Sequence, residues 1–249
     1  MNAPRLPFGM ENSAPGKVEG DDAQTALMRE LNFFPTPPWA ARAGGELVAT
    51  LDPLARTVWE PACGEGHMAG PLSERFAVVA SDIHAHGYGA VHDFLSGDGA
   101  WADLASPSGA IDWVITNPPF AKAEAFAHQG LKAARRGVAL LCRLAFEESV
   151  GRYPLMRRLA AKATFCERVP MQLGSWDPDL SSATAYAWFV WMHPEAVAES
   201  PMGAAIEACW AVEGSLSRLI APGTCARLTR SDDRRVYAGE IGPVQEALL

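Results

Sequence analysis

The sequence has no apolar run near the roughly 20 residues that a membrane-spanning helix needs, and no signal-peptide pattern. Both absences predict a soluble, cytoplasmic chain with no membrane partner. Its five cysteines, at 63, 142, 166, 209 and 225, form no Cys-x-x-Cys pair, which predicts a reducing compartment and no metal site. His84, His86 and His92 lie close together, but the first two flank a turn running into Gly87-Tyr88-Gly89, and a zinc reading is set aside. Positive charge is scarce: 21 Lys and Arg against 29 Asp and Glu give a net charge of −8, which opposes tight non-specific binding to a polyanion. The deficit is uneven. From Lys132 to Arg168 nine Lys/Arg face three Glu, a stretch that reads either as a basic face beside a site or as an ordinary solvated helix surface. What is present, 249 residues of which 49% are hydrophobic, suffices for one sizeable core and a small appendage.

The most informative segment is Asp112-Trp113-Val114-Ile115-Thr116 followed by Asn117-Pro118-Pro119-Phe120. Consecutive prolines remove two backbone donors and fix two φ angles, so a strand ends there. In an open parallel sheet that carboxyl edge is where ligands bind. The Asn117 side-chain oxygen can accept one hydrogen of a planar amine and the Pro118 carbonyl the other, with Phe120 stacked on the ring that carries the amine. The alternative is a strand-ending turn with a buried Phe.

Upstream, Val58-Trp59-Glu60 runs into Pro61-Ala62-Cys63-Gly64-Glu65-Gly66-His67, a Gly-x-Gly turn followed by a helical pattern to about Phe76. Such glycines let the backbone pass close to a nucleoside. Glu60 and Glu65 would repel a pyrophosphate and suit a ligand with a cationic end. A second strand, Ala77 to Asp82, closes on a carboxylate placed to bind ribose hydroxyls, with Ile83 beside it. A third, Ala90 to Leu95, carries Asp93 and Phe94, readable as an acceptor and an apolar wall for an adenine, or as a helix cap.

Taken together, Glu60 to Gly66, Asp82, Asp93-Phe94 and Asn117-Pro-Pro-Phe120, with Phe34-Pro35-Thr36-Pro37 ahead of them, resemble the class I S-adenosylmethionine-dependent amino methyltransferases. The likeness is greatest to the N6-adenine-specific DNA methyltransferases of phage and restriction-modification systems, and it spans about residues 31 to 192. It implies a Rossmann-like α/β fold with a mostly parallel seven-stranded sheet, an antiparallel last strand and helices on both faces. It implies S-adenosyl-L-methionine as cofactor, held by Phe34, Pro35, Thr36, Glu60, Ala62, Gly64, Gly66, Asp82, Ile83, Asp93 and Phe94. Catalysis falls to Asn117, Pro118, Pro119 and Phe120 acting on a flipped adenine. Double-stranded DNA is the implied partner, with phage or restriction-system proteins beside it. RNA adenine, DNA cytosine N4 and protein glutamine share the tetrad, and a binding module on the same fold is a further alternative.

Residues 1–30 read as a flexible leader, 31–193 as the catalytic domain with a basic insert at 145–184, and 194–249 as a small appendage. Within these, helices are expected over Pro37 to Leu51, Lys122 to Arg136, Tyr153 to Ala163 and Ala204 to Ile220. Strands are expected over Gly137 to Leu144, Cys166 to Leu173 and Ala185 to Trp191, with a hairpin over Cys225 to Tyr237. Trp176 or Ser182 is a candidate contact for the target base, Trp188 and Trp191 are read as sheet packing, and the arginines at 227, 230, 234 and 235 either read DNA or pair with Asp232 and Asp233.

Overall fold

The computed structural model describes residue 29, residues 32–98, residue 106 and residues 109–238. The expected leader, save Arg29, therefore lies outside the described residues.

Four strands form the centre: β1 (Thr57–Glu60), β4 (Trp113–Thr116), β5 (Gly137–Arg143) and β7 (Tyr186–Met192). All are near-continuous apolar runs, buried throughout except at Arg143, as strands covered on both faces must be. Beside them run β2 (Ala77–Asp82), β3 (Ala90–Val91), β6 (Ala161–Phe165) and β8 (Leu216–Ile220). The order is β3-β2-β1-β4-β5-β7-β6-β8. Only β7 runs antiparallel to its neighbours, pairing Leu140 with Phe189 on one side and Ala163 with Trp188 on the other. The chain reverses its direction of travel across the sheet between β1 and β4, which opens a crevice at the carboxyl ends of those two strands. Glu60 and Asn117 stand at those ends.

One face is covered by α1 (Pro38–Leu51), whose Trp39, Leu47, Val48 and Leu51 pack with Trp188 and Val190. Prolines 37 and 38 open this helix, where a missing N–H costs nothing. Gly44 sits mid-helix for steric reasons: a Cβ there would come within 2.3 Å of the Trp188 ring, which donates its indole N–H to the Ala40 carbonyl at 3.2 Å. On the other face α3 (Ala123–Ala133) lays Phe126 and Ala127 against Trp59, Val114, Phe189 and Trp191. Between β1 and β2, α2 (Ala69–Ser73) forms a single short turn.

Several expectations are corrected. The helix over 153–163 shrinks to α4 (Tyr153–Met156), because Ala161, Ala163 and Phe165 alternate with less buried Lys162 and Thr164 as a strand does. That strand is β6, so no strand spans Cys166 to Leu173. The helix over 204–220 ends as α6 (Gly203–Trp210); Glu213 at φ +56° breaks it, and Leu216–Ile220 becomes β8, parallel to β6. The 225–237 hairpin is two short helices, α7 (Thr224–Leu228) and α8 (Asp233–Tyr237). The third strand covers only Ala90–Val91, after which Asp93 caps the 3-10 turn Phe94–Ser96. An eighth strand joins the seven expected, so part of the C-terminal appendage completes the sheet.

After α5 (Pro194–Ala198) and α6, the appendage is tied back by Arg42. This buried guanidinium donates to both oxygens of Asp233 at 2.7 Å and to the Leu228 carbonyl at 2.8 Å, and pairs with Glu74 at 2.9 Å. Breaking a buried pair of this kind costs about 3–5 kcal/mol, since one charge is left without its partner. Among the described residues no helix is long and apolar enough to cross a membrane.

Candidate functional site

Glu60 ends β1 with its carboxylate 1% exposed. Its Oε1 accepts from the Thr116 hydroxyl at 2.5 Å and from the Ala62 N–H at 3.2 Å, while Oε2 has no partner among the described residues. Burial, with a smaller contribution from the Asp82 charge, pushes this carboxyl up to about 8 against the two hydrogen bonds that oppose it.

Asn117 ends β4. Its Nδ2 donates to the Phe34 carbonyl at 3.0 Å and to the Thr36 hydroxyl at 3.1 Å. Both amide hydrogens are thereby committed and the rotamer fixed. Oδ1 is left buried with no donor among the described residues. The Phe34 segment is itself held, because the Gly174 N–H donates to the Phe33 carbonyl at 2.9 Å.

His67 supplies a third orphan that the sequence reading did not include among site residues. Its Nε2 lies 2.8 Å from the Tyr237 carbonyl. A carbonyl only accepts, so Nε2 carries the proton and Nδ1 is a bare acceptor, buried and unpartnered. Burial lowers the pKa of this histidine and keeps it neutral. Glu60, His67 and Asn117 line one cavity of about 30 Å³ with Phe33, Ala62 and Gly64 among its other walls. No spacing rule in the sequence flags His67, because its tautomer is set from α8, 170 residues away.

The glycine turn is held from the second strand. Asp82 accepts from the Gly64 N–H at 2.9 Å and from the His84 N–H at 2.9 Å. Gly64 and Gly66 have φ of +49° and +87°, backbone that favours glycine. A Cβ on either would meet the ring of Phe33 at 2.5 Å or of Tyr88 at 2.4 Å. The cradle is thus filled by the chain's own aromatics, with Phe33 stacked on His86 at 4.9 Å. Ile83, at the end of β2, is 60% exposed. Asp93 and Phe94 are separated in environment: Asp93 is exposed and caps Leu95, whereas Phe94 is buried between Trp59 and Phe126.

Pro118 is buried, and Pro119 leads into the 3-10 turn Phe120–Lys122. The Phe120 ring lies 5.2 Å from the Phe34 ring, and the Arg143 guanidinium covers it at 4.1 Å. No thiol here is a nucleophile in waiting, since burial pushes the Cys63 and Cys142 thiols up. Trp176 is buried, Ser182 caps its own loop by accepting from the Thr184 N–H at 3.1 Å, and Trp188 and Trp191 pack in the sheet as expected. Among the described residues no group of three or more His, Cys, Asp or Glu is placed to hold a metal.

The basic stretch resolves into two kinds of cation. Arg135 pairs with Asp112 at 2.6 Å, Arg136 with Asp52 at 2.6 Å, Arg157 with Glu213 at 3.3 Å and Lys162 with Glu147 at 2.8 Å. Arg143 lies over Phe120 and hydrogen-bonds the Tyr186 hydroxyl, Arg152 lies over Phe146 and donates to its carbonyl, and Arg168 donates to the Ala183 carbonyl; none of the three has a carboxylate partner among the described residues. In the tail, the Arg227, Arg230 and Arg234 side chains pair with Glu46, Glu74 and Asp179, not with Asp232 and Asp233. A cavity of about 390 Å³ between α1 and the β8–α7 corner touches none of the tetrad or glycine-turn residues.

Strand order, the antiparallel β7 and the flanking helices define a Rossmann-like class I methyltransferase fold, with an eighth strand added. No family model and no curated protein matches the chain. Solved structures that resemble it include the type I restriction-modification methyltransferase subunit of Streptococcus thermophilus, at 10% identity over 68% of this chain and 47% of that one, TM-score 0.45. A 23S rRNA methyltransferase matches at 15% identity over 69% of this chain and 76% of its own, TM-score 0.42. An O-methyltransferase from Bacillus cereus matches at 12% identity over 71% and 94%, TM-score 0.43. The chain spans about half the length of the restriction-system subunits it resembles. These neighbours act on different chemical classes and choose no substrate for this chain.

Proposed function

We propose that this protein transfers a methyl group from S-adenosyl-L-methionine to the exocyclic N6 amine of adenine in double-stranded DNA, with the target base extruded into the crevice. The observation that carries the reading is the Asn117 amide. Both of its hydrogens are spent on the Phe34 segment, so the atom left to the crevice is an acceptor, suited to an amine and not to a carbonyl. With the Pro118 carbonyl as second acceptor, the two N–H groups of an aromatic amine are gripped and its lone pair is withdrawn from ring conjugation. No general base is needed to make that nitrogen a nucleophile, and alignment with the donor does the remainder of the work.

The residues present fit the cofactor at its amino-acid end. Glu60 Oε2 and His67 Nδ1 are buried without hydrogen-bond partners among the described residues, and an ammonium supplies donors to His67 and to Glu60 once that carboxyl ionises to pair with it. Asp82, already holding the glycine turn, has remaining lone pairs for ribose hydroxyls. The cofactor when bound supplies an electrophilic methyl. This chain's residues hold its ends, and the Phe33 and Tyr88 rings must leave the glycine cradle for its nucleoside to lie there.

Incubation of the full chain with methyl-labelled cofactor and unmethylated DNA, RNA and protein in parallel tests the reading. Label in DNA, recovered as N6-methyladenine on nucleoside analysis, is the expected result. Label confined to protein or RNA, or recovered as N4-methylcytosine, overturns it.

A further inference from the structure

The side-chain amide of an asparagine turns about a torsion that is broad and has no strong preference of its own. An acceptor that must meet an amine therefore needs its plane fixed from outside. Here two oxygens of one short segment do so: the Phe34 carbonyl and the Thr36 hydroxyl take the Nδ2 hydrogens of Asn117 at 3.0 and 3.1 Å. The reverse orientation would set Oδ1 against the carbonyl oxygen, acceptor against acceptor. Each of the two residues is followed by a proline, Pro35 and Pro37, and a residue before proline is held extended. The segment is also fastened at both ends. The Gly174 N–H donates to the Phe33 carbonyl at 2.9 Å, and the Ala40 and Ala41 N–H groups of α1 donate to the Pro37 carbonyl at 2.9 and 3.2 Å. Thr36 is only 3% exposed, so little solvent reaches its hydroxyl to take its place.

We propose that Phe34-Pro35-Thr36-Pro37 is a rigid clasp for the Asn117 amide, and that Thr36 is a positioning residue for methyl transfer that acts through Asn117 and not on the cofactor. The proposal rests on the amine reading of the crevice above, and it gives the segment a different task from the cofactor wall that the resemblance implies. What Phe34 contributes is a main-chain carbonyl, which any residue there would supply. What Thr36 contributes is a side-chain oxygen, which a single substitution removes. Without that oxygen one Nδ2 hydrogen is buried and unpaired, a costly state. The amide then twists about its free torsion to find a partner and carries Oδ1 off the line on which it meets the amine. The loss falls on alignment, so it appears in the rate at saturating substrates and leaves cofactor binding alone. Thr36 also walls the cavity shared by Glu60 and His67, and the two tasks are separated by measurement.

The test uses the full chain with Thr36→Val, which keeps the shape and loses the acceptor, and Thr36→Ser, which keeps the acceptor. The first readout needs no substrate. The chain has four asparagines, so with their side chains isotope-labelled the Asn117 amide resonance is assigned by its disappearance in Asn117→Ala. Both of its hydrogens are expected to exchange with solvent at least about tenfold more slowly than those of a free amide in wild type and Thr36→Ser, and one of them to lose that protection in Thr36→Val. The second readout is kinetic. Thr36→Val is expected to lower methyl transfer at saturating cofactor and substrate about tenfold, the scale of one buried hydrogen bond, with S-adenosylhomocysteine affinity within about twofold of wild type. It should cost nothing further in an Asn117→Ala background, and Thr36→Ser should regain most of the rate. Protection of both hydrogens in Thr36→Val overturns the clasp. So does a loss confined to S-adenosylhomocysteine affinity, or an equal loss of rate with and without Asn117. A wild type that transfers methyl to none of DNA, RNA and protein takes down the function, and the clasp then stands or falls with the amide spectrum.

Discussion

The two cavities that meet at Asn117–Phe120 are opposites. The one beside the glycine turn is lined by buried polar atoms of Glu60, His67 and Asn117 that have no partner among the described residues; the one beyond Phe120 is lined by Arg143 and Arg152, whose guanidiniums lie on phenyl rings. Elsewhere in the described residues Arg42, Arg136, Lys162, Arg227, Arg230 and Arg234 hold carboxylates. Unanswered polar groups in a folded chain cost stability unless something else completes them. On the proposed reading the Glu60 and His67 atoms are completed by the cationic end of the cofactor and the Asn117 oxygen by the target amine.

The sharpest way to break this contrast is at the point where the sides join. Asn117→Ala is expected to lower methyl transfer at least about a hundredfold, as loss of an oriented contact to the reacting group does, with S-adenosylhomocysteine affinity within a few-fold of wild type. Near-normal turnover would remove the amide from the chemistry. Glu60→Gln follows in size: loss of the ammonium's counter-charge is expected to weaken S-adenosylhomocysteine binding by about ten- to a hundredfold in calorimetry, in line with a charge-assisted hydrogen bond. His67→Ala is expected to weaken the same ligand by about tenfold. It should leave methylthioadenosine, which has no amino-acid end, unaffected; equal losses for both ligands would place His67 in a structural role instead.

The smallest expected effects concern protons. Glu60, pushed up to about 8 in the empty protein, is protonated at pH 7 and must ionise to pair with an ammonium. Binding of S-adenosylhomocysteine near pH 6.5 is therefore expected to release close to one proton, seen as a dependence of calorimetric heat on buffer ionisation enthalpy. The release should decline as pH rises through 8 and vanish in Glu60→Gln. The same shift has a stability consequence. The folded state holds a proton that the unfolded state gives up near pH 4.5, so this group makes the empty protein progressively less stable as pH climbs from there to about 8. Glu60→Gln removes that loss, and a Tm above wild type at pH 8 but not at pH 4.5 is the expected result.

Much of this was legible because local rules were strong. Two prolines after an apolar run end a strand wherever they occur, and two glycines at positive φ between a strand and a helix start announce a close backbone approach. The legible elements failed where a short segment could satisfy two periods. Tyr153 to Ala163 carries enough apolar residues for a helix face, yet its last part pairs with β7 and β8 because edge pairing offers those residues partners. Phe94, read as a pocket wall beside Asp93, packs against Trp59 and Phe126.

By itself the sequence determined the central strands, the glycine turn and the tetrad, since each depends on residues adjacent in the chain and on the backbone angles they permit. Only tertiary structure decided which atoms of those residues are left over. The Asn117 oxygen is the open one because Phe34 and Thr36, over 80 positions earlier, absorb its amide hydrogens. The His67 acceptor exists because a carbonyl from the last helix fixes the tautomer. Hydrogen-bond satisfaction is settled over the whole fold, and the site is what that settlement leaves unpaired.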